Sequence, residues 1–242
     1  MIAALLAVGL YATQSFIAAD ARTTGGATAS PGGWDRTGAK VSGPARVIDG
    51  DTLAIGDVRV RLEGIDAPES AQTCGKGLIG TWRCGKAATD HLARLVRDRE
   101  VVCESRGKDK YGRMLGVCIT AGLEINADLV RNGLAWAFVR YSRRYVEVEA
   151  RARAARLGVW QGEARAPWDW RAEQWTVAES RHGGDAPAGC VIKGNIARGD
   201  RVYHMPWSPW YAKTRIDTSR GERWFCSEAE AIAAGWRPAV VR

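Results

Sequence analysis

The chain has no Cys-x-x-Cys pair among its six cysteines, only seven lysines among 35 basic residues, and no charge in its first nineteen residues. Each shortage excludes something. Without Cys-x-x-Cys spacing, six cysteines at 74, 84, 103, 118, 190 and 226 suit disulfides in an oxidising compartment better than a zinc site. Because most positive charge is arginine, the net charge of +8 comes as planar donor forks suited to phosphate, so a polyanionic partner is expected. The plainer reading, a basic excess serving solubility alone, stays open until a site stands beside it. At 46% hydrophobic and 26% charged in 242 residues, the composition excludes wholesale disorder, collagen-like repeats and a polytopic membrane protein.

The uncharged opening, MIAALLAVGLYATQSFIAA, ends at Asp20. It lacks the basic start of a secretory signal, but Ala19-Asp20-Ala21 permits cleavage, so residues 1–21 are expected to be a signal peptide or, uncleaved, an N-terminal membrane anchor. Either way the protein is expected to be exported: periplasmic, secreted or at the surface, and membrane-anchored if the segment is not cleaved. Residues 22–40, rich in Thr, Gly, Ala, Ser and Pro, read as a flexible linker.

From Val41 the pattern has period two, with turn residues at 49–51 and 56–57, and predicts strands over 41–48, 52–55 and 58–65. Residues 86–97 carry Ala87, Ala88, His91, Leu92, Leu95 and Val96 at helical spacing, which makes His91 a core or cap residue rather than a ligand. Short apolar runs at 101–104 and 114–119 predict a strand pair with Cys103 facing Cys118. Segments 126–132 and 145–157, each followed by glycine, predict two more helices. The sum is a mainly β, α+β architecture, a five-stranded OB-fold barrel capped by about three helices. Trp160, Trp168, Trp170 and Trp175 are expected to pack its closing segment.

Six cysteines allow fifteen pairings. The sequence-local set, Cys74 with Cys84, Cys103 with Cys118 and Cys190 with Cys226, keeps each bridge inside one unit.

Asp51, Asp66 and Glu69 lie at strand ends beside turns, and Arg61 and Arg113 are threaded between them and after them. Two carboxylates and a carbonyl offer hard oxygen ligands that suit Ca2+. Two arginines with a cation could clamp a phosphodiester. The segments VIDGDTLAI, VRLEGIDAPE and DKYGR, in this order and spacing, closely resemble the signature of the staphylococcal nuclease (thermonuclease) family over roughly residues 41–175. The resemblance implies an OB-type barrel, with Asp51, Asp66 and the Ala67 carbonyl as Ca2+ ligands and Glu69 orienting the attacking water. It also implies that Arg61 and Arg113 grip phosphate, and that Lys110 and Tyr111 touch a terminal phosphate. Where the family pattern has two tyrosines lining the base pocket, this chain has Val139 and Tyr141, so Phe138 or Tyr141 is left to stack the base.

After a second linker, 176–188, a small unit at 189–242 is expected to be stapled by Cys190 and Cys226. It resembles an accessory module seen after such nuclease domains, and its end is similar to the metal-binding module of the Ada DNA-repair family. The cysteines that would follow Pro238 are absent, so zinc is not expected. The expected activity is exported, Ca2+-dependent, sugar-nonspecific hydrolysis of DNA and RNA, preferring single strands and leaving 3'-phosphate ends, by a monomer with no obligate protein partner. The alternative is an OB-fold nucleic-acid-binding or surface protein without catalysis.

Overall fold

The computed structural model describes residues 38–78, 80–181 and 186–239; the expected signal or anchor and most of the first linker lie outside them. β1 (Lys40–Val47), β2 (Thr52–Ile55) and β3 (Val58–Leu62) form the antiparallel meander. The third strand was expected to reach Ile65 but ends at Leu62, because Gly64 takes φ +74°, a left-handed conformation that glycine adopts without penalty. The chain then re-enters as β4 (Ile65–Asp66).

Beyond it come β5 (Cys74–Gly75) and β6 (Thr81–Trp82), a small ladder, and α1 (Cys84–Val96). Next are β7 (Glu100–Lys108), β8 (Met114–Thr120), β9 (Leu123–Glu124), α2 (Ile125–Arg131), β10 (Trp136–Ala137) and α3 (Val146–Ala154). β3 pairs with β8 in parallel, Val60 opposite Met114, which closes β3-β2-β1-β7-β8 into a five-stranded barrel. Closure leaves none of the five strands with a bare edge.

Leu53, Val60, Leu62, Val101 and Met114 fill the barrel, and Leu92 of α1 and Leu129 of α2 cover its end. Each such buried side chain contributes roughly 1.5–3 kcal/mol relative to exposure. On α1, Ala88, Leu92 and Val96 repeat every fourth residue and are buried; beside them Nε2 of the half-buried His91 lies 2.7 Å from Asp128 Oδ2 on α2, a link between helices rather than a core or cap position. Cys103 and Cys118 stand directly opposite each other on β7 and β8. The three disulfides are the sequence-local set.

The sequence reading misses one long element. α4 (Pro167–Arg181) was not expected as a helix, and residues 176–181, expected as linker, are its last turns. Its inner face consists of Trp168, Arg171, Trp175 and Ala178, spaced three, four and three apart, so a charged residue interrupts the apolar stripe. Trp168 stacks on Phe138 with ring centroids 5.4 Å apart, while Trp160 packs edge-on against Trp136.

The last unit is a four-stranded sheet, ordered β13 (Arg223–Phe225), β11 (Ile192–Ala197), β12 (Asp200–His204), β14 (Arg237–Pro238), with α5 (Glu228–Ala233) beside it. Ile192, Tyr203, Phe225, Ala231 and Trp236 form its core, and Trp175 of α4 packs against them. Lys193 is buried there, donating from Nζ to the carbonyls of Tyr211 (3.0 Å) and Thr214 (2.9 Å). The barrel, α4 and this sheet belong to one compact unit.

Candidate active site

A cleft of about 790 Å3 opens at the mouth of the barrel. Asp51, Arg61, Ala67, Glu69, Lys110, Tyr111, Arg113 and Tyr141 all line it, so the structure brings the sequence-predicted residues to one place. The opposite wall is the C-terminal sheet, through Tyr203, Met205, Trp207 and Glu228.

Backbone pairing positions the acidic residues. Asp66 sits on β4, paired opposite Trp136 of β10, and Asp51 is tied to β3 by the Leu62 N–H, which donates to its carbonyl at 2.8 Å. Both carboxylates are deeply buried, 4% and 0% exposed. Arg61 joins them: Nη1 donates to Asp51 Oδ1 at 2.9 Å and Nη2 to Asp66 Oδ1 at 2.8 Å. The Ala67 N–H donates to Asp51 Oδ2 at 3.1 Å. Burial raises the Asp51 carboxyl above its ordinary pKa, against the opposing pull of Arg61.

Glu69 begins a turn held by Gln72, which is fully buried. The Gln72 Oε1 accepts from the Glu69 N–H (3.2 Å), its own N–H donates to the Glu69 carbonyl (2.7 Å), and its Nε2 donates to the Arg165 carbonyl (2.8 Å). The same carbonyl of Glu69 abuts Gly85 at the start of α1, where an added Cβ would lie 1.7 Å from the oxygen. Burial pushes the Glu69 carboxyl up to about 7, opposed by Arg171.

In the 109–113 hairpin, Asp109 organises everything around Arg113. Its Oδ1 accepts the N–H groups of Tyr111 and Arg113, both at 2.9 Å, and its Oδ2 accepts Arg113 Nε at 2.7 Å. Gly112 takes φ +76° to turn the chain. Lys110 Nζ and Arg113 both lie over the Tyr111 ring. On the far rim Tyr141 is 71% exposed and meets Phe138 edge-on at 5.0 Å, while Val139 points to solvent.

Four residues escape the sequence reading. Arg171 on α4 donates from Nη1 to Glu69 Oε1 (2.8 Å) and Asp66 Oδ1 (3.2 Å), and from Nη2 to Asp66 Oδ2 (2.7 Å). Its signal was present in the three-four-three spacing with the tryptophans, after a proline suited to a first helical turn. Gln72 and Asp109 act through loop hydrogen bonds that no periodicity reports. Arg59 shares the cleft face of β3 with Arg61, two residues on, and its Nε is buried without a hydrogen-bond partner among the described residues.

Two buried carboxylates bridged by one guanidinium, with the Ala67 backbone beside them, supply hard oxygen donors of the kind a Ca2+ ion takes, waters completing the set. No group of three or more His, Cys, Asp or Glu side chains could hold a metal among the described residues, and the expected donor set needs only two. No described helix is long and apolar enough to cross a membrane.

Residues 59–162 match the family profile described as "Staphylococcal nuclease homologue", and residues 172–238 match one described as "ArfC". The second match gives the C-terminal unit a likeness other than the Ada-type module expected from its final residues. The chain is 37% identical to the micrococcal nuclease of Shigella flexneri over 144 residues, 52% of this chain and 77% of that one. It is 36% identical to a succinoglycan biosynthesis protein of Rhizobium meliloti (strain 1021) over 126 residues, 51% of this chain and 66% of that one. To an uncharacterised endonuclease of Escherichia coli O157:H7 it is 37% identical over 134 residues, 52% of this chain and 81% of that one. With such coverage joined to a closed five-stranded barrel carrying the family's motifs at its mouth, the chain belongs to the staphylococcal nuclease homologue family.

Proposed function

We propose that the protein is an exported, Ca2+-dependent, sugar-nonspecific nuclease that hydrolyses phosphodiester bonds of DNA and RNA, prefers single strands and leaves 3'-phosphate ends. The observation that supports it best is the convergence of Asp51, Glu69, Arg61 and Arg113 on one cleft, with Asp66 buried directly behind it and held by Arg61. A binding module would have no use for three carboxylates that repel phosphate.

Asp51, Asp66 and the Ala67 carbonyl would hold the Ca2+ ion, which when bound adds positive charge beside the scissile phosphate. Glu69, fixed by Gln72, takes a proton from the attacking water as its oxygen bonds to phosphorus. Arg61 uses two of its five N–H groups on Asp51 and Asp66, which leaves the others for phosphate oxygens. Arg113, braced by Asp109, faces the leaving 5'-oxygen, which takes up a proton as the bond to phosphorus breaks and the phosphate stays on the 3' side. Since these groups read only phosphate, sequence preference is low. Two walls, the hairpin at 109–113 and the C-terminal sheet, frame a cleft that favours a splayed single strand over duplex. Export is supported by three disulfides, which persist in oxidising compartments.

The test is release of acid-soluble nucleotides from denatured DNA by the purified oxidised chain with millimolar Ca2+, then with excess chelator. Cleavage abolished by the chelator is the expected result. A folded chain inactive with Ca2+ would sink the reading.

A further inference from the structure

The Asp66 carboxylate is fully buried, and both its oxygens are engaged by guanidinium groups: Oδ1 by Arg61 (2.8 Å) and Arg171 (3.2 Å), Oδ2 by Arg171 (2.7 Å). These two arginines differ in how they arrive. Arg61 belongs to the barrel wall and is pinned between Asp51 and Asp66. Arg171 reaches in from α4, outside the barrel, and spans Asp66 and Glu69 without touching Asp51. It therefore covers the oxygen of Asp66 that Arg61 leaves open.

Three carboxylates with two guanidinium groups carry one net negative charge when all are ionised. Adding a divalent cation turns that into one net positive charge, so a guanidinium resident on Asp66 opposes the cation. We propose that Arg171 is a resident counterion of the acidic residues, competing with the cation for Asp66 and swinging off it into the cleft when the cation binds. This rests on the Ca2+ reading given above and adds a residue to it. Arg171 in this role is a positioning residue: it keeps Asp66 and Glu69 ordered before the cation arrives.

The helix that carries it makes the exchange felt elsewhere. On the same face, Trp168 stacks on the cleft residue Phe138, and Trp175 and Ala178 pack into the C-terminal unit. Arg171 sits between these two anchors, so the counterion is held at the site by the packing of the module itself.

A purely structural arginine and a competing one predict opposite signs. If Arg171 merely braced Asp66, removing it would loosen the carboxylate and weaken Ca2+ binding. If it competes, removing it tightens binding. Isothermal titration of CaCl2 into the full oxidised chain and into Arg171→Ala reads the difference without catalysis. The expected result is a Kd for Ca2+ lowered about five- to 150-fold in the variant. Thermal melting supplies a second readout: without Ca2+ the variant melts lower than wild type, and saturating Ca2+ raises its melting temperature by more. Arg171→Gln, which keeps a hydrogen-bonding amide beside Asp66, answers the same question should the alanine variant fail to fold. Wild-type binding with equal or weaker affinity in the variants would overturn the competition. Absence of Ca2+ binding in wild type and variants alike would remove the Ca2+ reading and this inference with it.

Discussion

The cleft has two walls built on different principles. The barrel side is a closed sheet in which β3 meets β2 on one flank and β8 on the other, so Arg61 and its neighbours are fixed by hydrogen bonds along both edges. The opposite side is a sheet of four short strands stapled by Cys190 and Cys226, with α4 wedged between the two units. The first wall needs no partner to hold its shape. The second is held together by one internal disulfide and rests on α4 through a few large side chains, Trp175 foremost. A site assembled this way separates the groups assigned to chemistry, which stand on the rigid wall, from those that set access and charge.

The sharpest way to break that division is Glu69→Gln. We expect turnover to fall by about 10²- to 10⁴-fold, the range for losing a general base, with substrate affinity retained in a filter-binding assay. An unchanged rate would take Glu69 out of the mechanism. Next in size is the double substitution Cys190→Ser with Cys226→Ser, which should cost the C-terminal unit about 2–4 kcal/mol. Hydrogen exchange should then speed up across β11, β12 and β13 while β1, β7 and β8 stay protected. Equal loosening of both regions would mean that the two walls fold as one.

A smaller effect separates the aromatic residues of each wall. Tyr141→Ala, on the barrel rim, should raise KM for single-stranded substrate about tenfold, within the range for one stacked base. Trp207→Ala should leave it nearly unchanged, because that ring already leans on Trp175 at 6.5 Å. The reverse pattern would assign base stacking to the module. The mildest difference is in pH. Burial, with Lys193 nearby, lowers the His204 pKa below its usual 6.5, so the folded C-terminal unit favours the neutral ring. Its stability is full above the unfolded pKa and declines as pH falls through 6.5 and below. His204→Gln should therefore flatten the module's denaturation midpoint against pH.

The same contrast explains what could be read in advance. Barrel strands show period two because one face of each is buried, and the motifs at 47–55, 60–69 and 109–113 sit on or between those strands. That is why Asp51, Arg61, Asp66, Glu69 and Arg113 could be named together: four of them line one cleft and Asp66 lies buried behind it on Arg61. Arg171 escapes notice although the three-four-three spacing carries its signal, because its helix has a stripe broken by the charge that matters and four tryptophans draw the reading toward packing. Gln72 and Asp109 were hidden for another reason: side chains that hold loops obey no repeat. Arg171 meets Asp66 and Glu69 across more than 100 residues of chain, a pairing that neither spacing nor composition encodes.

The three bridges span 10, 15 and 36 residues and never overlap along the chain. Cysteines delivered from the N-terminus onward therefore meet their partners in the order in which they emerge, each pair complete before the next begins. Of the fifteen pairings six cysteines permit, the native one is the outcome of simple nearest-neighbour oxidation. Maturation of this molecule can proceed by closure alone, without the slow reshuffling that crossed connectivities demand.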